Sequence, residues 1–120
     1  MTQRIHIFTY ATALALLATP IAAQTHQCTF TAECFEAESC SDTAFNLSIE
    51  AQSGRVSLVS DAETVPVTSS GNDDFRIYAG GNENAYHLLS LGSDGTARYS
   101  THINGGPLMV NYLGTCEGSN

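Results

Sequence analysis

Lysine and tryptophan are absent from the 120-residue chain, and four arginines stand against twelve acidic residues, for a net charge of −8. A surface so poor in cations cannot release counterions from a phosphate backbone or settle on anionic lipid, so nucleic acid and acidic membranes are excluded as partners. No Cys-x-x-Cys pair is present to lower a thiol pKa, which argues against redox chemistry. No Gly-x-Ser-x-Gly elbow is present either. A membrane span needs about 20 apolar residues, and the only apolar run, from Tyr10 to Ala18, is shorter.

That run has the layout of an export leader. "MTQRIHIFTYATALALLATPIAA" carries Arg4 near its start, then the apolar stretch, then Pro20 before small residues. A signal peptide over residues 1–23 is expected, with cleavage after Ala23, no lipid anchor and a periplasmic or secreted product. Residues 24–120 then form one domain, in which Arg55, Arg76 and Arg98 oppose all twelve acidic residues, a net of −9. Two readings of that acidity stay open: solubility, or steering toward a basic partner protein.

A chain of this size buries only about 60–70% of its unfolded surface, so covalent help is expected. "HQCTFTAECFEAESC" supplies it by placing Cys28, Cys34 and Cys40 at an even six-residue step, with Cys116 far downstream. An even cysteine count in an exported chain reads as a disulfide framework with three possible pairings. A metal site would want closer cysteine pairs or interleaved histidines, and Glu33, Glu36 and Glu38 occupy the spacers instead. If "CTF" and "PLMVNYLGTCE" are strands, Cys28 shares a face with Phe30, and Cys116 shares one with Tyr112 and Val110. Both sulfurs then point inward, and the expected bridges are Cys28–Cys116 and Cys34–Cys40. The first closes a loop worth about 4–5 kcal/mol in the chain-entropy account, the second about 2.

From Thr43 onward, apolar and polar residues alternate. "TAFNLSIEA" sends Phe45, Leu47 and Ile49 to one face, and "RVSLVS" does the same with Val56 and Leu58. "ETVPVT" places Val65 and Val67 together, with Pro66 either outward or on a sheet edge, since proline cannot donate to a ladder. "DFRIYA" reads with Phe75 and Ile77 inward and Arg76 and Tyr78 outward. "AYHLLSL" is apolar enough for a central strand or one covered on both faces. Turn residues separate these runs at about ten-residue spacing, the pattern of an all-β antiparallel sandwich or small barrel of about seven to nine short strands.

Candidate chemistry is sparse. His26, His87 and His102 are scattered, and independently satisfied histidines are expected rather than a ligand set; no metal and no cofactor are implied. Ser100 and His102 fall on one strand face, as such a strand would place them without catalysis, and Asp73 and Asp74 as neighbours point apart. Arg98 sits beside Tyr99, after the hairpin dipeptide Asp94-Gly95, where an outward arginine pairing with nearby carboxylates is the plain expectation.

The early cysteine, the succession of short strands, "SDGTARY" and the terminal "YLGTCE" resemble small exported bacterial β proteins of unassigned function. More distantly, they resemble periplasmic inhibitors of c-type lysozyme. That resemblance implies an eight-stranded antiparallel barrel that inserts a Ser-Gly-x-x-Tyr loop into the lysozyme cleft. Here Asp94 separates Ser93 from Gly95, Tyr99 follows Gly95 by four positions, and no lysine exists for the family's second, Lys-Gly contact. The resemblance marks Ser93 and Arg98 as candidate binding residues.

The expected function is a non-enzymatic binding or inhibitor-type module that uses a hairpin tip near Ser93 or a barrel end. The alternatives are a small-ligand carrier, which needs an apolar cavity, or a structural role. An enzyme would need His and carboxylate groups converging in a pocket.

Overall fold

The computed structural model describes residues 23–119, so the expected leader, apart from Ala23, lies outside the described residues. The described residues form eight strands: β1 (Gln24–Phe35), β2 (Ser41–Gln52), β3 (Arg55–Val59), β4 (Thr64–Gly71), β5 (Phe75–Gly81), β6 (Ala85–Gly92), β7 (Thr96–Ile103) and β8 (Leu108–Ser119). Each pairs antiparallel with the next, and β8 returns to β1, giving a closed barrel. Closure removes the edge strands that a sandwich would leave open.

Turn chemistry sets the hairpins. Gln52 pairs with Arg55 across Ser53-Gly54, both at positive φ (53° and 76°), which is the primed two-residue turn that matches strand twist. Asn72, Asn82 and Asp94 each turn a side-chain oxygen onto backbone N–H groups two or three residues ahead, closing three further loops.

An eight-stranded barrel has an interior just wide enough for side chains to fill. Here it holds Phe30, Phe45, Tyr99 and Tyr112 with ring centroids 4.9–6.0 Å apart. Leu47, Ile49, Leu58 and Leu89 surround them. Gly114 lets β8 lie close against β1, because a Cβ there would run into the Thr29 carbonyl oxygen and fall 2.7 Å from Phe30 Cα. Both expected disulfides are present. Cys28 and Cys116 stand directly opposite each other across the β1–β8 closure, and Cys34–Cys40 spans the β1–β2 loop.

One expectation is reversed, and two strands differ in detail. β1 is a single twelve-residue strand, with a bulge between Phe30 and Ala32 that leaves Thr31 unpaired. The extra residue re-aims the rest of the strand, so Glu33 rather than Ala32 sits opposite the inward Tyr112. β5 has its faces reversed: Tyr78 is 8% exposed and pairs with Leu89, whereas Phe75 is 43% exposed. Because the side-chain period is two, the register that sets Tyr78 against the buried Leu89 also turns Arg76 inward and Phe75 and Ile77 outward. Finally, β6 is central, paired on both sides with β5 and β7, but covered on one face only, since Tyr86 and Leu88 are exposed. Pro66 faces outward opposite Ser57, and the β4–β5 ladder begins only at Thr68, so no donor is asked of it.

Candidate functional site

In an up-and-down barrel every odd-to-even loop lies at one end and every even-to-odd loop at the other. The β1–β2, β3–β4, β5–β6 and β7–β8 loops surround one mouth, close to His87. The β2–β3, β4–β5 and β6–β7 turns surround the opposite mouth, with the start of β1, the end of β8 and Arg76. Glu33, Glu36, Glu38, Asp42, Asp61, Glu63 and Glu83 belong to the His87 end, where no arginine is found among the described residues. Arg55, Arg76 and Arg98 share the other end with the remaining five acidic residues.

At the His87 end a cleft of about 460 Å³ is floored by Phe45, Tyr99 and Tyr112 and bordered by Glu63, His87 and Ile103. His87 lies on the inward face of β6, 3% exposed, with Nδ1 2.6 Å from the Tyr99 hydroxyl. Its Nε2 is buried, has no hydrogen-bond partner among the described residues, and faces Glu63 Oε1 at 3.6 Å. With a carboxylate on the Nε2 side, the consistent assignment has the Tyr99 hydroxyl donating to Nδ1 and the ring proton on Nε2. Burial lowers the His87 pKa, the Glu63 charge opposing it, so the ring is neutral at pH 7. Burial also drives the Tyr99 hydroxyl well above the usual tyrosine range, which keeps it a donor.

Glu63 is held in place from two sides. Asn82 Nδ2 donates to its Oε2 at 2.7 Å, and Ser60 Oγ accepts from the Glu63 backbone N–H at 3.3 Å. On the far side of the aromatic floor, burial and then the Glu33 carboxylate push the Tyr112 hydroxyl up to about 12. Carboxylates over aromatic rings make a setting for an ammonium or guanidinium group, which gains from both the charge and the ring faces.

The sequence candidates fall elsewhere. Ser93 is exposed in the β6–β7 hairpin at the Arg76 end, tied to the β4–β5 turn through its N–H and the Asp74 carbonyl at 3.0 Å. Arg98 points outward from β7, and its Nη1 donates to the Ala97 carbonyl at 2.8 Å. The Asp94 carboxyl is held below its ordinary range by the Thr96 backbone N–H, then the Thr96 hydroxyl, with Arg98 adding a smaller pull. Ser93 and Arg98 thus belong to one hairpin, remote from the seven-carboxylate end.

Ser100 donates to Asn111 Oδ1 at 2.5 Å. His102 is exposed on the outer face, and His26 lies at the Arg76 mouth, so the three histidines do not converge. His87, however, is not fully satisfied, because its buried Nε2 has no hydrogen-bond partner among the described residues and only faces Glu63 at 3.6 Å. Among the described residues no group of three or more His, Cys, Asp or Glu side chains could hold a metal ion. Comparison with known proteins finds no matching family model, curated protein or solved structure.

Proposed function

We propose that the protein is an exported, non-enzymatic binding module that docks a basic partner through its His87 end. The observation that carries this reading is the charge segregation: seven carboxylates ring one mouth with no arginine among them, over an aromatic-floored cleft. A field of one sign at one end steers and orients an oppositely charged protein, and a lysine or arginine side chain entering the cleft would meet Glu63 above Phe45, Tyr99 and Tyr112. The filled interior supports a surface binder over a carrier that encloses its ligand. Both ring nitrogens of His87 face groups of the protein itself, which supports a positioning role for the imidazole rather than catalysis.

An oligolysine peptide titrated into the labelled protein tests this. Amide shifts are expected around Glu63, Asn84 and His87, weakening as salt rises toward physiological strength. Glu63→Gln should cut the affinity about two- to fivefold, the scale of one exposed charge pair. Shifts confined to the Ser93 hairpin, or binding indifferent to salt, would overturn the reading. The resemblance to lysozyme inhibitors makes a c-type lysozyme the first partner protein to try. Inhibition abolished by Ser93→Trp but untouched by Glu63→Gln would move the docking surface to the β6–β7 hairpin.

A further inference from the structure

The opposite mouth has a chemistry that the basic-partner reading does not use. Its cleft, about 360 Å³, is floored by Ile49, Val56, Tyr78 and Leu91 and rimmed by His26 and Arg76. Small-ligand sites run from roughly 300 to 1,000 Å³ and combine apolar walls with a few convergent polar groups, so this cleft is at the compact end of that range. None of its lining residues is acidic, and the adjoining cleft that shares His26, Arg76 and Leu91 adds one carboxylate, Asp73.

Arg76 is the arginine on an inward strand position, Arg55 and Arg98 being on outward ones. Its side chain makes no ion pair and no hydrogen bond among the described residues. A guanidinium matches a carboxylate in bidentate geometry. Beside it the Tyr78 hydroxyl has no hydrogen-bond partner within the described protein, and burial raises its pKa against the pull of Arg76, so it remains a proton donor. His26 lies across the bare Gly118, where a Cβ would fall 2.6 Å from the imidazole Nδ1 and Cε1 and displace the ring. A lone inward guanidinium and the net charge of the domain favour a monoanion over a doubly charged phosphate, which the surrounding field would repel more strongly.

We propose that this mouth binds a small monocarboxylate with a short apolar body, the carboxylate on Arg76 beside Tyr78 and His26, the chain against Ile49, Val56 and Leu91. Calorimetry and amide-shift mapping with octanoate test it, with octylamine and octyl phosphate at the same concentrations as comparison ligands. Octanoate should bind saturably, with shifts at Ile49, Arg76 and Leu91, and more tightly than either comparison ligand. Arg76→Gln should weaken it about tenfold without moving the unfolding midpoint, since the side chain bonds to nothing in the protein. Gly118→Ala should weaken it too, by displacing His26, while Glu63→Gln at the other mouth should leave it unchanged. No saturable binding of octanoate, equal affinity in the Arg76→Gln protein, octylamine or octyl phosphate binding as well as octanoate, or shifts gathered around His87 would each overturn the proposal.

Discussion

Among the described residues, seven carboxylates at one end of the barrel meet no arginine, and at the other five carboxylates share the rim with three arginines. The same alternation builds both ends, so the difference comes from where along each strand the charges fall. Arg55, Arg76 and Arg98 are the first, second and third residues of β3, β5 and β7, all odd-numbered strands that begin at the same end. Glu36, Glu38, Asp61, Glu63 and Glu83 lie in odd-to-even loops, which all emerge at the opposite end. A meander barrel thus turns position along each strand into a charge difference between its two mouths. The mouths also differ within: one has a buried Tyr99–His87 pair closed by Glu63, the other an apolar floor under an unpaired guanidinium.

The largest expected effect separates the two covalent ties. Replacing Cys28 and Cys116 by alanine opens the β1–β8 closure and should cost about 4–5 kcal/mol in urea unfolding, whereas replacing Cys34 and Cys40 should cost about 2. Equal losses would mean that the closure does not depend on its staple.

A second experiment uses the buried histidine. His87 titrates lower in the folded chain than in the unfolded one, so the unfolded chain binds more protons in the interval between the two values. The neutral ring's contribution is fully present above the unfolded value of about 6.5 and is lost as pH falls from there toward the depressed folded one. The unfolding midpoint should therefore drop on acidification from about pH 7 to pH 5, and a His87→Leu variant should lack that component. Tyr99→Phe, which removes the donor to Nδ1, should cost about 1–3 kcal/mol at pH 7 by leaving a buried acceptor without a partner. A Tyr99→Phe protein as stable as the parent would show that the pair is not a hydrogen bond that matters.

The smallest effect tests the reversed face of β5. Phe75→Ser should change stability by no more than about 0.5 kcal/mol, as an exposed substitution does. Tyr78→Ala, by contrast, should cost about 3 kcal/mol or more, as loss of a buried ring does. A large penalty at Phe75 would restore the face read from the sequence.

The barrel was legible where local pattern and turn chemistry agree. Phe45, Leu47 and Ile49 face inward as their alternation requires, Ser53-Gly54 makes its tight turn, and Cys28 meets Cys116 because both stand on inward positions of adjoining strands. β5 was not legible because both of its faces are partly apolar, so Phe75 and Ile77 compete with Tyr78 and only the pairing with β6 decides. Glu33 escaped for a similar reason, since nothing in "TFTAEC" announces the bulge that turns it toward Tyr112. The Tyr99–His87–Glu63 arrangement unites β7, β6 and the β3–β4 loop, and no spacing within one strand reports a contact made across three elements.

The pairing of Thr25 with Ser119 brings the first and last strands out side by side, at the rim that carries Arg76. A tether joined at the end of β8 therefore leaves from that rim, with the acidic mouth at the other end of the barrel. Anchored to a sensor chip by its last strand, the molecule would present its carboxylate-rich face outward and shade its cationic pocket. Capture chemistry alone would then decide which of the two proposed ligands such an assay could detect.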